Sequence, residues 1–256
     1  MFKYPLIFLF ILSVTLISAQ VMRELSPVLG QLIDKNPAGE LAFNKQKKKC
    51  EGLTANANQQ NKSNQHAKVN QNILNECDQL PENYWDVLKP GCSWYCSGGE
   101  DTISASSSLS AQSNVNYRAN NIHDLNYKTA WVEGVKGYGI GEWIMYHFPP
   151  QTPRITELIV VNGYAKSEQT WKDNSRVKKL KMSINGKPFA ILALANSRQE
   201  QHFKIEPVGN ADRKDLEKLQ KQPWWTIKFE IMDVYKGDKY DDTAITEIYF
   251  NGIDVH

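Results

Sequence analysis

No cysteine follows Cys96 in this 256-residue chain, so the second half must hold together without disulfides. After the first twenty residues no apolar run is long enough to cross a bilayer as a helix, which takes about 20 residues. Neither sign of charge dominates: 30 Lys and Arg stand against 28 Asp and Glu, which argues against nucleic acid or an anionic membrane as partner. The five histidines, His66, His123, His147, His202 and His256, form no pair at the helical spacing of a metal site. There is no Gly-x-Ser-x-Gly elbow, and no Lys-Ser/Thr follows the glycine-rich stretch Gly134–Glu142, so a phosphate loop is excluded as well. The acidic pairs Glu100-Asp101 and Asp241-Asp242 read as solvated loop charges. Nothing selects two carboxylates across a cleft, as glycoside hydrolysis needs.

What is there begins with a targeting signal. Lys3 gives a positive start, Leu6 to Ile17 an apolar stretch, and Ser18-Ala19 the small residues of a cleavage site. Residues 1–19 therefore read as a secretory signal peptide, cut after Ala19, and the protein is expected to be secreted, periplasmic or on the cell surface. In an exported chain an even number of cysteines implies disulfides. Three pairings of Cys50, Cys77, Cys92 and Cys96 are possible, and Cys50–Cys77 with Cys92–Cys96 is the local choice. The three residues within Cys92-Ser-Trp-Tyr-Cys96 do not match a two-residue redox motif.

Composition divides the remainder in two. Residues 20–90 are rich in Asn, Gln and Lys, and read as a partly helical or flexible region stapled by a disulfide. Val69, Ile73 and Leu74 fit a short helix leading to Cys77, and this region is the candidate surface for a protein partner. Residues 91–256 read as one β domain. Leu180, Met182 and Ile184 alternate with polar residues, as do Trp225, Ile227, Phe229 and Ile231. Asn185-Gly186 between Leu180–Ile184 and Phe189–Leu194 is a hairpin signal, because both central positions need positive φ. With further strands over Trp143–Phe148, Ile155–Val161 and Ala244–Phe250, the pattern predicts an all-β, antiparallel sandwich of about eight strands. Ala211–Gln222 is a charged insertion, either a surface helix or an ordered loop.

Two constellations could carry function. Asn120, Asn121, Asp124, Asn126 and Thr129 place many oxygens just before Trp131, which suits a hard cation such as Ca²⁺ or, equally, an Asx-rich turn. Tyr164, Lys166, Trp171, Asn174 and Arg176 lie on a polar loop between two strands. Trp171 there is either a stacking platform for a sugar, with Lys166, Asn174 and Arg176 as donors, or a cap on the sandwich.

Ile103-Ser-Ala-Ser-Ser-Ser-Leu and Asn121-Ile-His-Asp-Leu-Asn-Tyr-Lys-Thr-Ala-Trp131 resemble the opening of discoidin-like domains, the coagulation-factor type C domains of the galactose-binding-like superfamily. The longer string Thr129–Gly134, Gly139–Glu142, Asn162-Gly-Tyr, Trp171 and Asn174-x-Arg176 is similar to the translocation domain of bacterial NAD glycohydrolases. The resemblance spans roughly Cys92 to Asn251. It implies a jelly-roll β-sandwich that binds glycans, without the enzyme portion and without catalytic residues. It also implies a structural calcium held by Asp124, Thr129, Glu247 and the carbonyls of Asn121 and Asn126. One departure is plain: the family's Asp is usually followed by Gly, and here Leu125 follows, so a different turn is expected. Adhesion to a protein and hydrolysis of a surface polysaccharide are the two alternatives on this fold.

Overall fold

The computed structural model describes residues 22–62, 71–100 and 102–255. The expected signal peptide lies outside the described residues, as do His66 and Asp101. Among the described residues no helix is long and apolar enough to cross a membrane.

Alternating sequence becomes alternating burial. In β5 (Trp143–Phe148) the residues Ile144, Tyr146 and Phe148 point inward, and in β10 (Trp225–Tyr235) so do Trp225, Ile227, Phe229 and Ile231. These strands pair antiparallel with each other, and β10 pairs antiparallel with β7 (Ser175–Ile184). The hairpin from β7 to β8 (Lys187–Ala193) turns on Asn185 and Gly186 at φ 49° and 75°, as the sequence predicts. With β3 (Thr102–Ala105) on β5, these strands form one sheet. The second contains β6 (Ile155–Asn162), β9 (Gln199–Val208), β11 (Thr243–Gly252) and the two-residue β4 (Trp131–Val132). The sheets join at one corner, where Thr243 and Ala244 pair parallel with Ser175 and Arg176.

The result is an antiparallel jelly-roll β-sandwich. Its inner faces meet in a core of Tyr146, Phe148, Leu180, Phe229, Leu158, Phe203 and Phe250, among others, with Trp94 and Trp131 buried at its margin. Each fully buried side chain of this size contributes about 1.5–3 kcal/mol relative to exposure. Ala211–Gln222 contains only one short helix, Leu216–Gln220, anchored by buried Leu219.

The N-terminal region departs from expectation. Its helical part is present as α1 (Pro37–Lys62) and α2 (Gln71–Asp78), tied by Cys50–Cys77 at an S–S distance of 2.01 Å. Before them, however, β1 (Glu24–Leu25) pairs parallel with β8, and β2 (Val28–Leu32) pairs antiparallel with β9. Among the described residues the sandwich thus has eleven strands, two of them contributed from before the 90/91 boundary expected from composition.

The expected Cys92–Cys96 bond is corrected. The two sulfurs stand 2.9 Å apart as a hydrogen-bonded thiol pair, and Cys96 Sγ also accepts the Ser93 N–H at 3.2 Å. The reason is local: Cys92 precedes and Cys96 ends a 3-10 turn, Trp94–Cys96, closed by the Cys96 N–H donating to Ser93 O at 3.0 Å while Trp94 anchors it in the core.

Candidate functional site

At the end of the sandwich where β6 finishes and β7 and β11 begin, the chain turns through Gly163–Asn174. Helix α3 (Glu168–Asp173) orders this loop with a capping box, in which Ser167 Oγ accepts the Thr170 N–H and Thr170 Oγ1 accepts the Ser167 N–H. Arg176 holds the loop from beneath. It is only 6% exposed, and its guanidinium donates to Asn196 Oδ1 and to the carbonyls of Trp171, Lys172, Asn174 and Lys236. The same guanidinium stacks on the Trp171 ring, 4.5 Å from its centroid, while Trp171 Nε1 donates to Asn162 O. Between them runs Gly163, φ 77°, where a Cβ would stand 2.6 Å from Arg176 Cγ and 2.8 Å from Trp171 Cδ1. Trp171 and Arg176 therefore frame the loop from within, and the Nε, Nη1 and Nη2 of Arg176, expected as a sugar donor, each already donate to an acceptor of the protein itself. Half-buried Lys166 lies on the same loop, outside the cavity described next.

Two other predicted residues, Tyr164 and Asn174, do line an open cavity of about 160 Å³. Tyr117, Tyr240, Asp242, Gln112 and Thr170 complete its polar and aromatic lining. Tyr117 meets Tyr164 edge to face, with centroids 6.4 Å apart at 88°. Burial pushes the Tyr164 phenol up to about 12, so it stays neutral, and burial followed by the neighbouring Asp241 charge raises the Asp242 carboxyl. Asn174 Nδ2 is pinned on Thr170 O at 2.8 Å. The cavity thus offers three tyrosine rings, two of them crossed, two amides and one carboxylate. Sequence reasoning missed Tyr117, Tyr240 and Asp242. They are far apart in the chain, and an acidic pair beside a tyrosine looks like an ordinary loop until the fold brings it to Tyr117.

The second constellation also assembles. Asp124 stands beside Glu247, whose carboxyl is fully enclosed at the middle of β11. Burial and then the Asp124 charge push Glu247 well above the usual carboxylate range, and burial also raises Asp124. Glu247 Oε1 accepts the Asn126 N–H at 2.8 Å, whereas Oε2 is buried without a donor. The Thr129 hydroxyl donates to Asp124, 2.7 and 2.8 Å from its two oxygens. Asn121 serves differently: its side chain ties the loop by donating to Asn116 O and Ala130 O. Among the described residues no group of three or more His, Cys, Asp or Glu could hold a metal. A buried carboxyl, Glu247, with an orphaned oxygen beside the exposed Asp124 carboxyl, and nearby hydroxyl and carbonyl oxygens, nevertheless fit a hard, oxygen-seeking cation. At the position where the family's Gly is usual, the chain keeps a non-glycine residue with positive φ. Leu125 itself takes the left-handed conformation, φ 57°, and packs against the apolar cluster that includes Trp85 and Tyr127.

No curated protein matches the chain. Solved structures similar to it include the CBM32-1 and CBM32-2 domains of Clostridium perfringens ZmpB, 12% identical with a TM-score of 0.40, covering 60% of this chain and 34% of that one. Another is the family 32 carbohydrate-binding module of Streptococcus pneumoniae EndoD, 9% identical with a TM-score of 0.40, covering 62% of this chain and 99% of that one. The chain thus spans about a third of the ZmpB structure it matches. A family model described as the NAD glycohydrolase translocation F5/8 type C domain matches residues 94–251.

Proposed function

Since the chain belongs to the NAD glycohydrolase translocation F5/8 type C domain family, we propose that it is an exported, non-catalytic module that binds glycans in the loop-end cavity. The observation that carries this reading is the lining of that cavity: Tyr117 and Tyr164 crossed edge to face, with Asp242 and Asn174 at their side. A sugar ring has an apolar C–H face and a rim of hydroxyls. Tyrosine supplies an aromatic body with a polar tip, suited to both. The Asp242 carboxylate accepts from hydroxyls, and hydrogen bonds to a charged group are the stronger kind. Asp242 is the single carboxylate among the lining residues, which supports binding over hydrolysis.

Asp124, Thr129 and Glu247, with the carbonyls of Asn121 and Asn126, would hold a calcium ion. When bound, the ion supplies positive charge to the buried Glu247 and the exposed Asp124 beside it. Glu247 itself fixes the Asn121–Thr129 loop against β11 by accepting the Asn126 N–H, and Asp124 ties the loop internally by accepting the Thr129 hydroxyl.

A glycan array probed with the full chain tests the proposal, run beside Asp242→Asn and Tyr117→Ala. Retention of a saccharide by the wild type, weakened in both variants, is expected. Silence of the wild type across the array would overturn the reading, and cleavage of an arrayed glycan would replace a binding module by a hydrolase.

A further inference from the structure

The opposite end of the sandwich carries a second cavity, of about 280 Å³. It sits where β7 ends and β10 begins, whereas the Tyr117–Tyr164 cavity sits where β7 starts. The ten residues of β7 separate the two by roughly 30 Å. Its wall is built from Phe189, Trp225, Asn185, Asn210 and Glu206.

Trp225 is the unusual member. The indole is 3% exposed and held by stacking on Phe148, with centroids 4.2 Å apart at 19°. Its Nε1–H is buried without an acceptor among the described residues. A buried indole N–H normally finds an acceptor, and leaving one unmade costs about 1–3 kcal/mol. The six-membered ring of the indole lies against Gly209, where an added Cβ would stand 3.3 Å from Trp225 Cζ2. Gly209 has φ 127°, so the loop passes over the indole edge in a conformation that side chains rarely adopt.

The remaining polar groups are already aimed. Asn185 Oδ1 accepts the Thr226 N–H at 2.8 Å, and Asn210 Nδ2 donates to Pro150 O at 3.0 Å. Each amide is thereby pinned, with Asn185 Nδ2 as a donor and Asn210 Oδ1 as an acceptor at the rim. Glu206 is exposed and adds a carboxylate, which disfavours an anionic ligand. Trp224, next in the chain to Trp225, is 55% exposed at the same end. Aromatic walls, a donor and an acceptor on fixed amides, a carboxylate and an unmet N–H together match an uncharged ring bearing several hydroxyls.

We propose that this cavity is a second saccharide site, in which one ligand oxygen accepts from Trp225 Nε1 as the Gly209 loop yields. The proposal does not depend on the loop-end cavity. Two sites on one chain would raise avidity for a branched or repeating glycan.

The test is a titration of the ¹⁵N-labelled full chain with galactose, N-acetylgalactosamine, glucose and mannose in turn, following the indole N–H resonances. The expected result is a saturable shift of the Trp225 resonance with at least one sugar. Glu206→Gln, a rim change that leaves the core intact, should weaken that shift about tenfold. Asp242→Asn, at the far end, should leave it unchanged. A Trp225 resonance unmoved by all four sugars would overturn the proposal. So would a shift equally strong in Glu206→Gln, or one abolished by Asp242→Asn, since either would place the ligand elsewhere.

Discussion

At the scale of single residues, charge and backbone conformation make the sharpest demands. Asp242 has a carboxyl raised by burial and by Asp241. As the ionised acceptor for a sugar hydroxyl, it should lose binding as pH falls through that raised value, before an ordinary aspartate near 3.9 protonates. Above that window binding should be flat. Asp242→Asn should bind more weakly and without this dependence, which a pH series of affinity titrations would check. Leu125 makes the other demand. A left-handed residue with a side chain costs about 1–2 kcal/mol, against glycine's entropy cost of about 0.5–1 kcal/mol. Replacing Leu125 by Gly should therefore leave the protein more stable than replacing it by Ala, by up to about 1 kcal/mol, the reverse of the usual order. Denaturant unfolding of the two variants checks it. The dense oxygens of this loop were legible in the sequence because they are contiguous. That Leu125 would take positive φ was not, because the apolar cluster it packs against includes Trp85, forty residues earlier.

At the scale of elements, strands that bury one face announced themselves. β10 alternates over Trp225–Ile231, and its partner β7 ends in the Asn185-Gly186 turn. β1 and β2 did not, for a physical reason. They are short edge strands whose side chains are mostly exposed, so they lack the alternation that burial imposes. Their pairing energy comes from backbone edges on β8 and β9, more than 160 residues away. Covering those edges also removes a template for aggregation. Ile33, immediately after β2, fastens the strap: it is buried against Trp85 and Tyr249, and its N–H donates to Arg198 O at 3.0 Å. Ile33→Ala should cost about 2–4 kcal/mol, detectable as a lowered denaturant midpoint. If residues before 90 were an independent appendage, the sandwich would unfold at its original midpoint. The loop helix α3 was read as irregular because its six residues carry no apolar stripe, and only the Ser167/Thr170 capping pair marks it.

At the scale of the whole molecule, the N-terminal segment and the carboxylate loop are one assembly. The Val87 N–H donates to Leu125 O and the Tyr127 N–H to Trp85 O, both at 2.9 Å, and Lys128 reaches Glu40. A cation between Asp124 and Glu247 would therefore stiffen both parts. Chelation should lower the melting temperature of the wild type and restore it on adding calcium, while Glu247→Gln should melt identically with and without chelator. Equal melting of the wild type in both conditions would remove the ion from the account.

The glycan reading rests on which end-loop residues touch the ligand, and a side-by-side titration decides that most directly. The saccharide retained best on the array would be titrated against wild type, Tyr117→Ala and Trp171→Phe, each first checked for an unchanged melting temperature. Tyr117→Ala should lose about tenfold in affinity, the loss of an aromatic contact and its hydroxyl. Trp171→Phe should bind as wild type, because that ring faces Arg176 inside the loop. Full affinity in Tyr117→Ala with loss in Trp171→Phe would contradict the account and return the sugar to the loop surface around Trp171.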